Sequence, residues 1–305
     1  MRRFIVGCLA ASIALAARDG NAGQSFVSVG SLGNVFTPPN GFVRDQGDVV
    51  VWRFAGSGHT VTEGTSGSGV SLVFNTNPAG GSQFAGSFFS WKTDRPTVSY
   101  YCTPHFPFNM KGSITVVGST QQEADFRINE VRYDGVGSNF VEITNLGDGA
   151  GDLQGFRLAI NGVASTPWAA STPVLPGGFV VVNNPSGLTS TGSVALYAPH
   201  TIAGTVGSSN LLTDATMMLD YVEWGLTGGQ ALESVAILTV VPKVWSLGDF
   251  AAQVAQGHDI SFCGVRFQHG VTFWTPTANP TPGASNNCAS PAVPSTWGRL
   301  KFLYR

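Results

Sequence analysis

Apolar residues come in short runs separated by turns rich in glycine, asparagine and proline. Phe140-Val141-Glu142-Ile143-Thr144-Asn145 alternates apolar with polar positions, which predicts a half-buried strand. Asp152 to Leu158 follows a Gly/Asp turn, and Leu175-Pro176-Gly177-Gly178 feeds the strongly apolar run Phe179 to Val182. Short strands at this turn spacing predict an all-β sandwich. The N-terminal apolar run is of another kind: Arg2 and Arg3 precede Phe4 to Ala17, with small-residue cleavage options after Ala16 or Ala22. That is the pattern of a secretory signal, here residues 1–22. Cys8 follows too little apolar sequence to sit in a lipoprotein box. No later stretch is apolar enough to span a bilayer, so the mature chain is expected without a transmembrane segment. Its expected location is periplasmic, cell-surface or secreted.

At 305 residues the chain is long enough for two domains behind that signal. The polar stretch Gly118 to Gln122 divides it into residues 23–117 and 118–290, and the Pro/Ala segment Pro291 to Pro294 opens a C-terminal tail over 291–305. Sixteen Lys and Arg stand against eighteen Asp and Glu, and no basic cluster falls in the folded region, which excludes nucleic acid as an expected partner.

The chemistry is concentrated in Tyr100-Tyr101-Cys102-Thr103-Pro104-His105-Phe106-Pro107-Phe108-Asn109-Met110-Lys111-Gly112, with His59 far upstream. A thiolate and two imidazoles in a trigonal set, with a weak thioether on the axis, are the donors of a blue-copper site. The spacing C-x-x-H-x-x-x-x-M lets one loop between two strands supply three donors while a separate strand end supplies the fourth. Taken singly, Cys102 reads as half of a disulfide, His59 as a loop histidine and Met110 as core filling. Zinc also uses Cys and His donors, but a thioether is not among its common ligands.

With Val35-Phe36-Thr37-Pro38, Gly47-Asp48-Val49-Val50-Val51-Trp52 and Met110-Lys111-Gly112-Ser113-Ile114-Thr115-Val116, these residues resemble the plastocyanin-like cupredoxins over roughly Ser25 to Val117. The resemblance implies a Greek-key β-sandwich or barrel and one type 1 copper ion held by His59, Cys102, His105 and Met110. It also implies single-electron transfer between redox partner proteins rather than enzyme catalysis, with His105 the ligand near the surface. Thr60 is expected to orient the ligands from outside. The chain departs from the family at Phe106-Pro107-Phe108-Asn109, where small residues are usual; the two rings either form an apolar docking patch, cap the site, or pack the loop on the barrel end. Three cysteines remain after signal removal, and reserving Cys102 for copper leaves Cys263 and Cys288 as the expected disulfide of an oxidising compartment.

Ile128-Asn129-Glu130-Val131, Val141 to Asn145, Asp152 to Leu158, the Pro-Gly-Gly turn, Leu219 to Gly225, Trp274 and Thr281 to Asn286 resemble a lamin-tail domain over roughly Glu123 to Asn287. That implies an immunoglobulin-like β-sandwich with an attachment or interaction role. His200, His258 and His269 are scattered with nothing that places them near a carboxylate or nucleophile, since the neighbours His258 and Asp259 would point to opposite faces of a strand, and Asp148, Asp152, Asp214 and Asp220 lack the spacing of a calcium loop. The tail from Ser295 to Arg305 is aromatic and basic; it resembles terminal sorting tags of the Thr-Trp-Gly-Arg type, the alternative being a segment that packs Trp297 and Tyr304 on the sandwich. The alternative function is copper binding for storage or surface anchoring without electron transfer. A multicopper oxidase or nitrite reductase is disfavoured because no His-x-His or His-Cys-His motif occurs.

Overall fold

The computed structural model describes residues 23–65, 74–76, 83–118, 120–133, 138–200, 211–240, 242–255 and 257–288. The expected signal (1–22) and tail (291–305) lie outside the described residues. The chain is nearly all β, and the one α-helix among the described residues is the short Glu233–Ala236.

The N-terminal part contains β1 (Gln24–Val29), β2 (Phe36–Thr37), β3 (Asn40–Val43), β4 (Val49–Phe54), β5 (Thr62–Glu63), β6 (Phe88–Lys92), β7 (Thr97–Tyr101) and β8 (Lys111–Val116). They form two four-stranded sheets, ordered β2-β1-β4-β6 and β3-β8-β7-β5. The pairs β1/β4 and β3/β8 run parallel, the rest antiparallel. Between the sheets lies a core built around Trp52, with Phe74, Phe89 and Tyr100 in ring contact with it and Cys102 and Met110 in the same buried cluster.

The C-terminal part contains β9 (Phe126–Arg132), β10 (Phe140–Asn145), β11 (Gly151–Asp152), β12 (Arg157–Ile160), β13 (Val163–Ala164), β14 (Pro173–Val174), β15 (Phe179–Asn183), β16 (Gly192–Tyr197), β17 (Met218–Gly225), β18 (Ala251–Ala252), β19 (Asp259–Phe262) and β20 (Trp274–Thr277). Two five-stranded sheets, β15-β10-β9-β19-β20 and β13-β12-β16-β17-β18, enclose a second core that includes Trp224, Trp245 and Tyr221.

Two strands differ from their sequence patterns. β10 is buried at every position, not half-buried. Its polar residue Glu142 is satisfied internally, accepting from Asn129 Nδ2 at 2.7 Å and from the Gly283 N–H, so the face that alternation assigns to water is covered by a distant segment. The apolar run Phe179 to Val182 lies on β15 at a sheet edge and is only half-buried.

The two parts pack directly on each other. Alternation in β4 sends Val50, Trp52 and Phe54 into the N-terminal core and Val49 and Val51, with Phe88 of β6, into the C-terminal one. A strand buried on both faces reads as a continuous apolar run, which is how Val49 to Trp52 reads. Polar contacts add to this: the Gln24 N–H donates to the Ala124 carbonyl at 2.8 Å, the Arg44 N–H to Glu123 at 2.7 Å, and Arg44 Nη2 to Asp148 at 2.5 Å. The disulfide Cys263–Cys288 closes the far end of the chain, and Cys102 is a free, buried thiol.

Candidate metal centre

The loop from β7 to β8 is shaped by its own backbone. The Cys102 N–H donates to the Met110 carbonyl at 3.0 Å, and the Met110 N–H returns to the His105 carbonyl at 3.3 Å. Between them Phe106–Phe108 forms one 3-10 turn, which begins at His105 and ends at Asn109 in the left-handed region (φ 60°). Asparagine tolerates that conformation well. His59 approaches from the loop after β4, where its backbone pairs with Gln83.

The result is a cluster of three donors. Cys102 Sγ lies 3.3 Å from His105 Nδ1 and 3.8 Å from His59 Nδ1, and the ligand atoms of the three residues fall within 4.8 Å of one another. Metal–donor bonds of roughly 2.0–2.3 Å at trigonal angles hold donor atoms about 3.5–3.7 Å apart, so the observed separations bracket what a single small ion needs. Among the described residues no other group of His, Cys, Asp and Glu converges in this way. Met110 is buried in the same apolar cluster as Cys102.

Thr60 braces the site twice. Its N–H donates to Cys102 Sγ at 3.3 Å, and its Oγ1 accepts from the Thr103 N–H at 2.7 Å, tying the His59 loop to the Cys102 loop. The amide offers the sulfur a hydrogen-bond donor, a contact that fixes where the ligand atom sits. Burial, and the nearby His105, push the His59 pKa below the usual imidazole value, which favours the neutral ring a ligand must present. Two glycines that sequence reasoning did not single out make room for that ring. A side chain at Gly30 (φ 75°) would collide with the His59 imidazole, and a Cβ at Gly56 would stand 3.2 Å from its Nε2 and 2.8 Å from the Gly30 carbonyl.

The two phenylalanines of the loop part company. Phe106 is half-buried, edge-on to Tyr101 at 5.6 Å and covered by Lys111 Nζ at 4.2 Å. Phe108 is 68% exposed, its ring 6.2 Å from that of the half-buried His105. Leu32, two residues past Gly30, and Phe84, next to Gln83, are also exposed, at 78% and 76%.

Elsewhere, sequence reasoning placed no carboxylate beside the scattered histidines, and the structure corrects this for His269. Its Nδ1 lies 3.5 Å from Asp220 and 2.6 Å from Arg127 Nη1, in a buried network with Asp125. Burial foremost, with Arg127 adding to it, lowers the His269 pKa and keeps the ring neutral, a structural acceptor rather than a base. His200 packs on Phe89 across the junction, and its Nδ1 is 3.4 Å from the Ser90 N–H.

Neither a protein-family model nor a curated protein matches the chain. Solved structures similar to part of it are cupredoxins. Pseudoazurin from Hyphomicrobium denitrificans is 19% identical over 30% of this chain and 74% of its own, with a TM-score of 0.24. The oxidised form of plastocyanin from Dryopteris crassirhizoma is 26% identical over 30% of this chain and 100% of its own, with a TM-score of 0.22. Auracyanin B is 19% identical over 32% and 90%, with a TM-score of 0.24. At such scores the likeness carries no argument, and the site is argued on its own atoms.

Proposed function

We propose that the chain is an exported protein holding one type 1 copper ion and passing single electrons between redox partner proteins, not an enzyme. The observation that carries this reading is the convergence of Cys102 Sγ, His59 Nδ1 and His105 Nδ1. Bound there, copper would supply a one-electron couple between Cu(II) and Cu(I). Cys102, His59 and His105 would hold the ion, with Met110 as the fourth and weaker donor. The soft sulfur of Cys102, beside a buried thioether residue, favours copper over zinc.

The rest is done by the chain. Thr60 donates to the Cys102 sulfur and ties the Cys102 loop to that of His59, and Gly30 and Gly56 leave the His59 ring its room. Cys102 and His59 are buried while His105 is half-buried beside exposed Phe108, which makes His105 the ligand closest to a docked partner. Residues 23–117 form the copper-binding domain of this proposal, and residues 118–290 a β-sandwich that serves attachment or interaction.

The test is optical. One equivalent of Cu(II) added to the purified full-length chain gives an intense blue colour that a mild reductant bleaches and an oxidant restores. A colourless complex, or a colour that does not cycle, would exclude electron transfer.

A further inference from the structure

Gly23, one residue before β1, is buried at the junction of the two parts. Its carbonyl accepts from the Val49 N–H at 2.7 Å, and its N–H donates to Asp48 Oδ1 at 3.0 Å. A side chain here would collide with Glu123 Oε2 and stand 3.1 Å from Asp48 Oδ1, so both carboxyls face this one residue.

Those two acids are 0% and 2% exposed. Asp48 takes the N–H groups of Gly23 and Asp45 and forms no ion pair with the described residues. Glu123 Oε1 takes the Arg44 N–H at 2.7 Å, but Oε2 accepts no hydrogen bond. The cations nearby are turned towards Asp148: Arg44 Nη2 meets it at 2.5 Å and Arg266 Nη1 at 2.8 Å, which leaves Arg266 Nη2 3.5 Å from Glu123 Oε2. Asp45 adds negative charge beside Asp48. Burial holds both carboxyls well above their ordinary range. A carboxylate buried without a partner is costly, and a cation in contact with it relieves that cost.

The sequence can put a cation at this point. Gly20 and Ala22 are the small residues three and one before the Ala22–Gly23 bond, the spacing a signal peptidase reads. Hydrolysis there consumes one water, leaves a carboxylate on Ala22 and turns the Gly23 amide into an amine, which takes up a proton. One N–H becomes three, enough to keep Asp48 and reach Glu123 as well. A cut after Ala16 would leave residues 17–22 in front of Gly23 and the acids as they are.

We propose that the chain is processed at Ala22–Gly23 and that the α-ammonium freed on Gly23 docks between Asp48 and Glu123, so that losing the signal completes the junction of the two parts. This rests on the export reading under Proposed function and not on copper. An α-amine titrates at roughly 7.7–8.0 when free, and two carboxylates raise that value in the folded chain. The stability it adds is therefore complete below about pH 8 and is lost as pH climbs through the folded value.

The test starts from the full-length chain expressed with export. Intact mass and N-terminal sequencing of the exported protein should give a start at Gly23. At pH 7 an amine-reactive ester should label that α-amine at least about tenfold more slowly in the folded protein than in denaturant, the scale of one charged hydrogen bond. Glu123→Gln should speed the labelling. The processed protein should also unfold at a higher temperature at pH 7 than full-length chain retained with residues 1–22. A start after Ala16 leaves export standing and overturns the proposal; an unprocessed chain overturns both. A Gly23 amine labelled as fast folded as unfolded, or processed and full-length chains with the same unfolding temperature, also overturns it.

Discussion

Cys102 combines complete burial, a free thiol and an amide N–H from Thr60 directed at its sulfur. Cys102→Ser should therefore abolish the thiolate-to-copper colour while leaving the fold intact, read by visible absorption beside circular dichroism; a mutant that stays intensely blue contradicts the assignment. Met110→Leu should keep the colour and raise the reduction potential, because an apolar axial position disfavours Cu(II). An unchanged potential in voltammetry would show that Met110 is not axial. Gly30 is the residue-scale prediction that only the structure supplies. Its φ of 75° suits glycine, and a methyl group there meets the His59 ring. Gly30→Ala should cost on the order of 1–3 kcal/mol in denaturant unfolding. It should also weaken Cu(II) binding, whereas wild-type affinity would show that His59 is not held by this contact.

At the scale of elements, Thr60 links the loop after β4 to the loop after β7. Thr60→Val keeps the backbone amide to sulfur but strands the Thr103 N–H, so a loss of about 1 kcal/mol is expected, with weaker copper retention against a chelator. Equal retention would mean the two loops need no tie. The metal-site loop was legible in the sequence because Cys102 and His105, which the structure brings to 3.3 Å, sit within one turn-forming segment. Strands were legible for the same local reason, the period of two. What was not legible depends on residues far apart in the chain. Glu142 reads as solvent-facing because nothing near it in sequence reveals the Gly283 N–H that covers it. Gly30 reads as an ordinary turn glycine, and His269 as isolated from Asp220, for the same reason. The Cys263–Cys288 pair was reachable once Cys102 was set aside for the metal, and the link is present. Reducing it should cost about 3 kcal/mol on the loop-entropy account, seen as a lower unfolding midpoint under reductant.

Across the whole molecule, the two parts meet around a buried pair of carboxyls. Burial, then the charge of Glu123, raises the Asp48 pKa from the ordinary 3.8 to about 9. Glu123 is raised to about 7 by burial, and Arg44 and Arg266 oppose the shift. Asp48 Oδ1 accepts from the Gly23 N–H at 3.0 Å and Oδ2 from the Asp45 N–H at 2.6 Å. Both acids hold their protons more tightly folded than unfolded, so the stability they contribute is complete at low pH and is lost as pH climbs through the folded values. The unfolding temperature should fall between pH 5 and pH 9, and Asp48→Asn should flatten that slope; an identical slope in the variant would remove Asp48 from the account. The candidate metal centre lies in the N-terminal part of the same packed body, and its proposed ligand set is the central claim. X-ray absorption fine structure of the copper-loaded full-length chain tests it most directly. The account predicts one short copper–sulfur and two copper–nitrogen distances, the sulfur vanishing in Cys102→Ser; a first coordination sphere of nitrogen and oxygen alone in the unmodified protein would contradict it.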